Sequence, residues 1–289
     1  MATGGECSHT IATALLFVEV DEFMLIEEQI AQFQNDGFLK GGQVLSDEQV
    51  EELRDELDRV IRDEAKEDIP QPVRIANLSG NENSPVWQIV NIWEASPAYK
   101  RLIRNSDVLE GISRLMGARQ LRVWHDQIQY KPAETGGVNK WHQDSPYWPI
   151  LQPKTEQVSA WFALDDVDES NGCMRMVTGS HKWGNQIEFL HTLNSLDDMP
   201  AEFKGHALEV RLCPVAKGEV HFHHSLTWHS SHENRSGRPR RAIAVHFMTE
   251  KTTYDESSGH CMKPFVEADV KNGEVLRGEH FPLVWETGA

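Results

Sequence analysis

The sequence predicts a mainly β fold with flanking helices, organised around a double-stranded β-helix (a cupin-like jelly roll). Two observations lead to this prediction. Apolar residues recur at helical spacing before Gly117, whereas after Gly117 they alternate with polar residues at the period of a strand. The strand-like segments are short and are separated by turn signals such as Thr178-Gly179-Ser180. Helices followed by many strands are typical of a double-sheet barrel buttressed by helices.

Three amphipathic helices are expected in the first part of the chain. The first runs from near Met24 to a stop at Gly37, and the second begins at the capping box of residues 46–49. The third covers residues 106–116 and ends at Gly117, because glycine readily adopts the left-handed conformation that closes a helix. We expect residues 24–289 to form a single domain. Residues 1–23 lack periodicity and are expected to be a poorly ordered or dispensable extension.

Five segments are typical of strands, namely residues 121–131, 157–164, 174–177, the histidine-rich stretch that follows Gly218-Glu219, and residues 240–249. The alternation in the first of them predicts two faces, with His125, Gln127 and Gln129 on one and Trp124, Ile128 and Tyr130 on the other. We expect residues 70–85 to be a loop. Residues 183–214 are poor strand candidates and are expected to form an insertion over the barrel mouth.

Composition and charge exclude several classes of partner. The chain of 289 residues has 45 acidic and 28 basic side chains and a net charge of -17, which would repel nucleic acid and anionic membranes. The four cysteines are far apart and include no CxxC pair, which favours a reducing compartment. The apolar run of residues 11–18 is too short to span a bilayer and lacks a basic flank. We therefore expect a cytoplasmic protein, either monomer or dimer.

A candidate metal site lies in Trp141-His142-Gln143-Asp144-Ser145. In an extended strand, His142 and Asp144 would project to the same face and could meet one cation. A later histidine, His229, would complete the two-histidine, one-carboxylate set of non-haem Fe(II) oxygenases. From the residues alone this third ligand stays open, because His221, His223, His224 and His232 compete with it.

Several motifs, in order, resemble one enzyme family between Met24 and Met248. They are Gln29-Ile30-Ala31-Gln32-Phe33-Gln34-Asn35-Asp36-Gly37-Phe38, Tyr130-Lys131-Pro132, the HxD site, Asn171-Gly172-Cys173-Met174, Thr178-Gly179-Ser180-His181, Gly218-Glu219-Val220 and Pro239-Arg240-Arg241-Ala242-Ile243. This pattern resembles the phytanoyl-CoA dioxygenase family of Fe(II)- and 2-oxoglutarate-dependent oxygenases, which includes ectoine hydroxylase. Thr178 departs from the pattern, since the family usually has proline there.

The resemblance implies the ligands and the cosubstrate site. His142, Asp144 and His229 would bind Fe(II), and the eleven-residue spacing from His229 to Arg240 matches the family's distal histidine and its arginine. Arg240 would hold the distal carboxylate of 2-oxoglutarate, assisted by Ser231. The remaining expected contacts to the cosubstrate are Trp161, Gln129 and Gln127.

A guanidinium suits this role independently of the resemblance, because its planar fork can bind a carboxylate through two parallel hydrogen bonds. Strand parity places Arg240 on one face with the small residues Ala242 and Ala244, which leaves room for a ligand. Trp161 could equally be a plain core aromatic. The expected reaction uses O2 and 2-oxoglutarate to hydroxylate an unactivated C–H bond of a small molecule, with release of succinate and CO2.

Two other functions remain possible at this point. A zinc hydrolase could use the same three ligands, but the glutamate base of an HExxH motif is missing from the sequence. A jelly-roll protein that binds metal without turnover is the second alternative. Tyr147 and Trp148 near the expected mouth suggest a partly apolar ligand, but the substrate itself is not identified by the sequence.

Overall fold

Two antiparallel sheets form the centre of the computed structural model, which describes residue 1 and residues 24–64 and 66–288. The predicted extension therefore lies almost wholly outside the described residues. The described α-helices are α1 (Glu27–Asp36), α2 (Asp47–Arg62), α3 (Ile92–Ala95), α4 (Pro97–Leu102), α5 (Ser106–Met116) and α6 (Ile187–Leu190). The described strands are β1 (Phe38–Gln43), β2 (Arg74–Asn77), β3 (Trp87–Val90), β4 (Gln120–Lys131), β5 (Asn139–His142), β6 (Leu151–Gln152), β7 (Gln157–Ala163), β8 (Met174–Val177), β9 (Glu202–Phe203), β10 (His206–Ala207), β11 (Val210–Cys213), β12 (Glu219–His224), β13 (His229–Ser231), β14 (Arg240–Thr249), β15 (Thr253–Tyr254) and β16 (Leu283–Glu286).

The larger sheet has the strand order β1-β12-β7-β14-β4-β3-β2, with β16 also paired to β4. The smaller sheet has the order β11-β8-β13-β5. Side chains from both sheets meet in one buried cluster, which joins Trp161 and Ala244 of the larger sheet to Met174 and Met176 of the smaller. The helices cover the opposite face of the larger sheet through a second, larger cluster. This arrangement confirms the predicted jelly-roll core with flanking helices.

The second predicted helix illustrates how local sequence determines an element. The Ser46 hydroxyl accepts a hydrogen bond from the backbone N–H of Gln49, and the Gln49 side chain accepts one from the Ser46 N–H at 2.8 Å. Apolar residues at helical spacing then bury one face of α2 in the cluster that covers the larger sheet. These residues are Val50, Leu53, Leu57 and Val60. No helix in the described residues is long and apolar enough to cross a membrane.

A β-bulge corrects the predicted faces of β4. His246 of β14 is paired with His125, whereas the next residue, Phe247, is paired with Val123, so Trp124 is the extra residue. Trp124 consequently joins the buried cluster around Trp148 and not the cluster that contains Ile128. Strict alternation cannot foresee this, because one inserted residue reverses the parity of every residue beyond it.

Two segments that were expected to lack strands contain them. Residues 70–85 include β2, which pairs with β3 at the edge of the larger sheet. Residues 183–214 include β11, which pairs with β8, although Val210 and Leu212 are 40% and 44% exposed. Both are edge strands without one buried face, so their backbone pairing leaves no alternating burial pattern in the sequence.

Candidate functional site

The three predicted metal ligands meet where the smaller sheet opens. His142 is the last residue of β5 and His229 the first of β13, and the two residues are directly paired across these strands. Asp144 lies just beyond β5, with helical backbone angles of φ -73° and ψ -53°, so the expectation that it continues an extended strand is wrong. The turn nevertheless brings one potential ligand atom from each of the three residues within 4.8 Å of the others.

The protonation of both histidines suits a cation. His142 Nδ1 lies 2.7 Å from the Lys140 carbonyl oxygen, and His229 Nδ1 lies 2.9 Å from the Thr227 carbonyl oxygen. A carbonyl can only accept, so each Nδ1 carries a hydrogen and each Nε2 presents a lone pair. Burial lowers the pKa of His142 and, more strongly, that of His229, so both rings are neutral near pH 7. Neutral imidazole is the form that binds a metal.

Asp144 divides its two oxygens between the histidine pair and the barrel wall. Its Oδ1 lies 3.8 Å from His142 Nε2 and 3.5 Å from His229 Nε2. Its Oδ2 accepts hydrogen bonds from Ser159 Oγ at 3.0 Å and from His223 Nε2 at 3.2 Å. Burial opposes ionisation, but the neighbouring His229 and the hydrogen bond from His223 hold the pKa of Asp144 well below its usual value. The group is therefore a carboxylate at neutral pH.

Ser159 and His223 are functional residues that sequence reasoning missed. They lie on β7 and β12 and are paired with each other across these strands. In the sequence, His223 was only one of the histidines that compete with His229 for the third ligand position. The signal that could have found them is strand parity, which places both side chains on the inward face of the sheet. Polar side chains that lie opposite each other on a buried face need a hydrogen-bond partner there.

Arg240 is fully buried, and all three of its guanidinium nitrogens lack a hydrogen-bond partner among the described residues. The guanidinium carbon lies 5.1 Å from the ring centre of Trp161. Burial lowers the pKa of Arg240 to about 10, which still leaves it charged at neutral pH. Arg240 does not itself line the pocket beside the three ligands, but Trp161, Ser231, Gln127 and Gln129 do. A buried, unpartnered cation behind this wall calls for an anionic ligand.

Lys131 is a second buried basic residue that sequence reasoning did not assign to the site. Its Nζ donates hydrogen bonds to Ser231 Oγ at 2.7 Å and to the carbonyl of His232. Burial, followed by the charge of Arg240, lowers the pKa of Lys131 well below its usual value. Strand parity could have found it, since Lys131 continues the face of Gln127 and Gln129 toward the Arg240 end of the sheet.

A cavity of about 840 Å³ leads from His142 and Asp144 to the surface. Tyr147, 49% exposed, and Trp148, almost fully buried, lie in its wall, together with the partly exposed Val138. Gln127 also lines it, and its Oε1 accepts a hydrogen bond from Gln88 Nε2 at 2.5 Å. The cavity is large enough for a small organic molecule and adjoins the position where a metal would be held.

The competing histidine His224 has a structural role. Its Nε2 lies 3.1 Å from the Thr155 carbonyl oxygen, and its Nδ1 accepts a hydrogen bond from the backbone N–H of Leu226. Both ring nitrogens are therefore engaged by backbone groups, so His224 is not available as the third ligand.

Comparison with known proteins yields consistent matches. The sequence profile of the phytanoyl-CoA dioxygenase family matches residues 33–242, more than half of the chain. Peroxisomal phytanoyl-CoA dioxygenase of Bos taurus is 26% identical over 80% of this chain and 71% of its own length. The predicted family membership is confirmed.

Solved structures share the fold. The α-ketoglutarate-dependent carbocyclase SnoK from nogalamycin biosynthesis superposes with a TM-score of 0.70 at 25% identity, covering 90% of this chain and 96% of SnoK. The epimerase SnoN, solved in complex with Fe3+, α-ketoglutarate and a nogalamycin compound, gives 0.70 at 23% identity, over 89% and 98% of the two chains. This chain thus belongs to the phytanoyl-CoA dioxygenase family and is an oxygenase that depends on Fe(II) and 2-oxoglutarate.

Proposed function

We propose that this enzyme hydroxylates an unactivated C–H bond of a small-molecule substrate, releasing succinate and CO2. The observation that carries the proposal is the fully buried Arg240 guanidinium, which lacks a partner in the described part of the chain and stacks on Trp161 beside the three metal ligands. A protein that binds metal without turnover does not need a buried, uncompensated cation at this place. An enzyme with a dicarboxylate cosubstrate does, because the cation can bind one of the carboxylates.

Each group of residues has a separate task in this proposal. His142, Asp144 and His229 hold the metal. Iron(II) with 2-oxoglutarate and O2 would supply the oxidising power that a C–H bond requires. Arg240 binds the distal carboxylate of 2-oxoglutarate, and Lys131 holds the Ser231 hydroxyl in place by a hydrogen bond.

The buried walls of the barrel have a further task. Trp161 lines the pocket, and the Gln127 and Gln129 amides offer hydrogen bonds to the bound dicarboxylate. The low exposure of these walls excludes water, which strengthens the charge interactions inside.

Zinc-dependent hydrolysis on the same ligands is not favoured. Asp144 is the one carboxylate among the described residues that line the cavity, and the ligand set already uses it. The glutamate base that zinc hydrolases place beside their metal is therefore lacking from the described wall. We further propose a reducing, cytoplasmic location, since Cys173, Cys213 and Cys261 are free thiols.

The proposal is tested in two stages. Anaerobic titration should show binding of one Fe(II) and one 2-oxoglutarate per chain; failure of either would refute the assigned site. A panel of small molecules is then screened for compounds that stimulate succinate formation, and the masses of the products are measured by mass spectrometry. Hydroxylation adds one oxygen atom, carbocyclisation of the kind named for SnoK removes two hydrogen atoms, and epimerisation leaves the mass unchanged. A product without the added oxygen would contradict hydroxylation but not the site.

A further inference from the structure

The wall of the large cavity carries positive charge, although the chain as a whole is strongly acidic. Arg74 and Lys140 both line this cavity, and both side chains are exposed. Asp144 is the one acidic residue of the described wall, and it already belongs to the metal site. Because the chain has a net charge of -17, an anionic ligand needs a local site of opposite sign. The wall of the cavity provides such a site.

The two cations come from different sheets. Arg74 is the first residue of β2, which is the edge strand of the larger sheet. Lys140 lies on β5, which is the edge strand of the smaller sheet. Burial raises the pKa of the Cys261 thiol in the same wall, and the charge of Arg74 opposes this rise, so the guanidinium lies close to Cys261. Each sheet therefore contributes one positive charge to the cavity.

Neither cation has a partner in residues 24–64 and 66–288. Most of the arginine and lysine side chains in this part of the chain form ion pairs or hydrogen bonds. The exceptions are Arg74, Lys100, Arg104, Lys140 and Arg240. Arg240 belongs to the proposed cosubstrate site, whereas Lys100 and Arg104 lie on or just after α4, outside the cavity wall. In a chain with so many carboxylates, two unpartnered cations in one cavity indicate that a ligand supplies the negative charge.

Lys140 also lies close to the metal ligands. It precedes His142 by two residues on β5, and two residues of a strand span about 7 Å. Its backbone carbonyl oxygen accepts the hydrogen bond from His142 Nδ1 at 2.7 Å. An acidic group bound by Lys140 is therefore near enough for a carbon atom of the same small molecule to reach the metal position.

The same cavity has an apolar part that reaches the surface. Leu78, Val138 and Tyr147 line it, and they are 48%, 40% and 49% exposed. Large apolar side chains that are exposed together mark a binding surface. The buried residues Val90 and Trp148 continue the apolar wall inward. The cavity thus suits a molecule with an apolar body and an acidic group.

We propose that Arg74 and Lys140 bind the acidic group of an amphipathic substrate, a carboxylate or phosphate ester attached to an apolar body. This inference rests on the proposed function, because it takes the cavity to hold the substrate. A guanidinium fork and an ammonium both bind such oxyanions through charge-assisted hydrogen bonds. A cationic substrate would be repelled by both residues, and a neutral one would leave both charges without a partner.

The test compares three probes that share one naphthalene body, namely 2-naphthoate, 2-naphthyl phosphate and the neutral 2-naphthamide. Their binding to the anaerobic enzyme, loaded with Fe(II) and excess 2-oxoglutarate, is measured by calorimetry. At least one anion should bind about fivefold more tightly than the amide, the size expected for exposed ion pairs. The tighter anion identifies the acidic group as carboxylate or phosphate. Amide binding as tight as that of both anions, or binding of no probe, would overturn the inference. Failure to load iron or 2-oxoglutarate would instead contradict the proposed function.

Two double variants with the same loss of charge locate the effect. Arg74→Gln with Lys140→Gln should abolish the preference for the anion. Lys100→Gln with Arg104→Gln also removes one arginine and one lysine, both exposed, and should retain the preference. Retention in the first double variant, or equal loss in both, would mean that Arg74 and Lys140 do not select the ligand.

Salt dependence gives a readout without any substitution. Raising the salt concentration from about 0.05 M to about 0.5 M should weaken anion binding to the wild type and leave amide binding unchanged, because exposed charges are screened. A preference that does not change with salt would contradict binding by these exposed cations.

A crystal structure of the loaded enzyme with the tighter anion tests the position directly. The acidic group should lie within hydrogen-bond distance of the Arg74 or Lys140 side chain, with the naphthalene ring against Tyr147 or Val138. An acidic group found on the metal, or beside Arg240, would overturn the inference.

Discussion

Arg240 of β14 and Lys131 of β4 are direct cross-strand partners, and both side chains are fully buried. Directly paired residues project to the same side of a sheet, so two basic side chains lie next to each other inside the barrel. No acidic side chain of the described residues forms an ion pair with either of them. Burial, followed by the charge of Arg240, lowers the pKa of Lys131, because two adjacent buried basic groups cannot both be charged without cost. A ligand with negative charge bound beside them would offset that cost.

Arg240→Ala should weaken 2-oxoglutarate binding by about 3–5 kcal/mol, the usual cost of removing one partner of a buried ion pair. The matched control is Arg241→Ala, since Arg241 lies on the opposite face of the same strand and pairs with Asp165 at 2.8 Å. Anaerobic calorimetric titration of both variants measures the difference. Unchanged affinity in Arg240→Ala would remove this residue from the cosubstrate site.

His229→Ala should lower iron affinity by more than about a hundredfold, the upper range for losing a group that merely orients a ligand. His224→Ala should leave iron affinity nearly unchanged, but it should cost about 1–3 kcal/mol of stability, because two backbone groups lose their partner. Competition with a chelator gives the affinities and urea unfolding gives the stabilities. Loss of iron in His224→Ala alone would show that the third ligand is misassigned.

Ser159→Ala and His223→Gln should each weaken iron binding by about 10–100-fold, because each side chain donates a hydrogen bond that orients Asp144 and is not itself one of the three ligands. His221→Gln is the control, since His221 is equally buried on the same strand as His223 but stacks on Phe38. Iron dissociation constants that stay at the wild-type value in all three variants would mean that Asp144 does not need this support.

The metal-free protein should lose stability as the pH falls below about 6.5. Burial lowers the pKa of His221 to about 3 and that of His224 to about 4, while an unfolded chain binds protons near 6.5. Because the pKa values of these histidines are lower in the folded state, the unfolded state takes up protons first as the pH falls. The stability they contribute is therefore complete above 6.5 and is lost progressively toward pH 4.

Each of these histidines should contribute a slope of about 1.4 kcal/mol per pH unit within that window. Urea unfolding at pH values from 7.5 to 5, in steps of roughly half a unit, measures the total pH dependence of the free energy of unfolding. His221→Gln should have a visibly shallower pH dependence than the wild type. A variant slope equal to that of the wild type would show that His221 is not kept neutral by the fold.

Deletion of residues 1–23 should leave the Tm and iron binding essentially unchanged. Among the described residues, the apolar core starts with Leu25 and Phe33, which are both 2% exposed, and the Leu25 carbonyl also accepts a hydrogen bond from Arg114. Deletion of residues 1–36, which removes α1, is the destabilised comparison. A large fall in Tm on the shorter deletion would show that the first segment packs on the domain.

The sequence could predict what depends on periodicity and spacing. The alternation in β14 places Arg240 on the inward face, and the spacing to His229 distinguishes this histidine from its neighbours. It could not predict that Ser159 and His223 converge on Asp144, because periodicity assigns a residue to a face but not to a partner on another strand. Nor could it predict the bulge at Trp124, which reflects the packing around Trp148 and not a local signal.

The hydrogen bonds to Asp144 Oδ2 have a consequence for the coordination number. With this oxygen engaged by Ser159 and His223, Asp144 can offer a metal one ligand atom and not two. His142 and His229 supply one nitrogen each, so the protein contributes three donors in all. An ion that prefers six ligands would then have three coordination sites left for exchangeable ligands. The two hydrogen-bond donors Ser159 on β7 and His223 on β12 thereby limit how many protein atoms occupy the metal, and so how many reactants it can bind at one time.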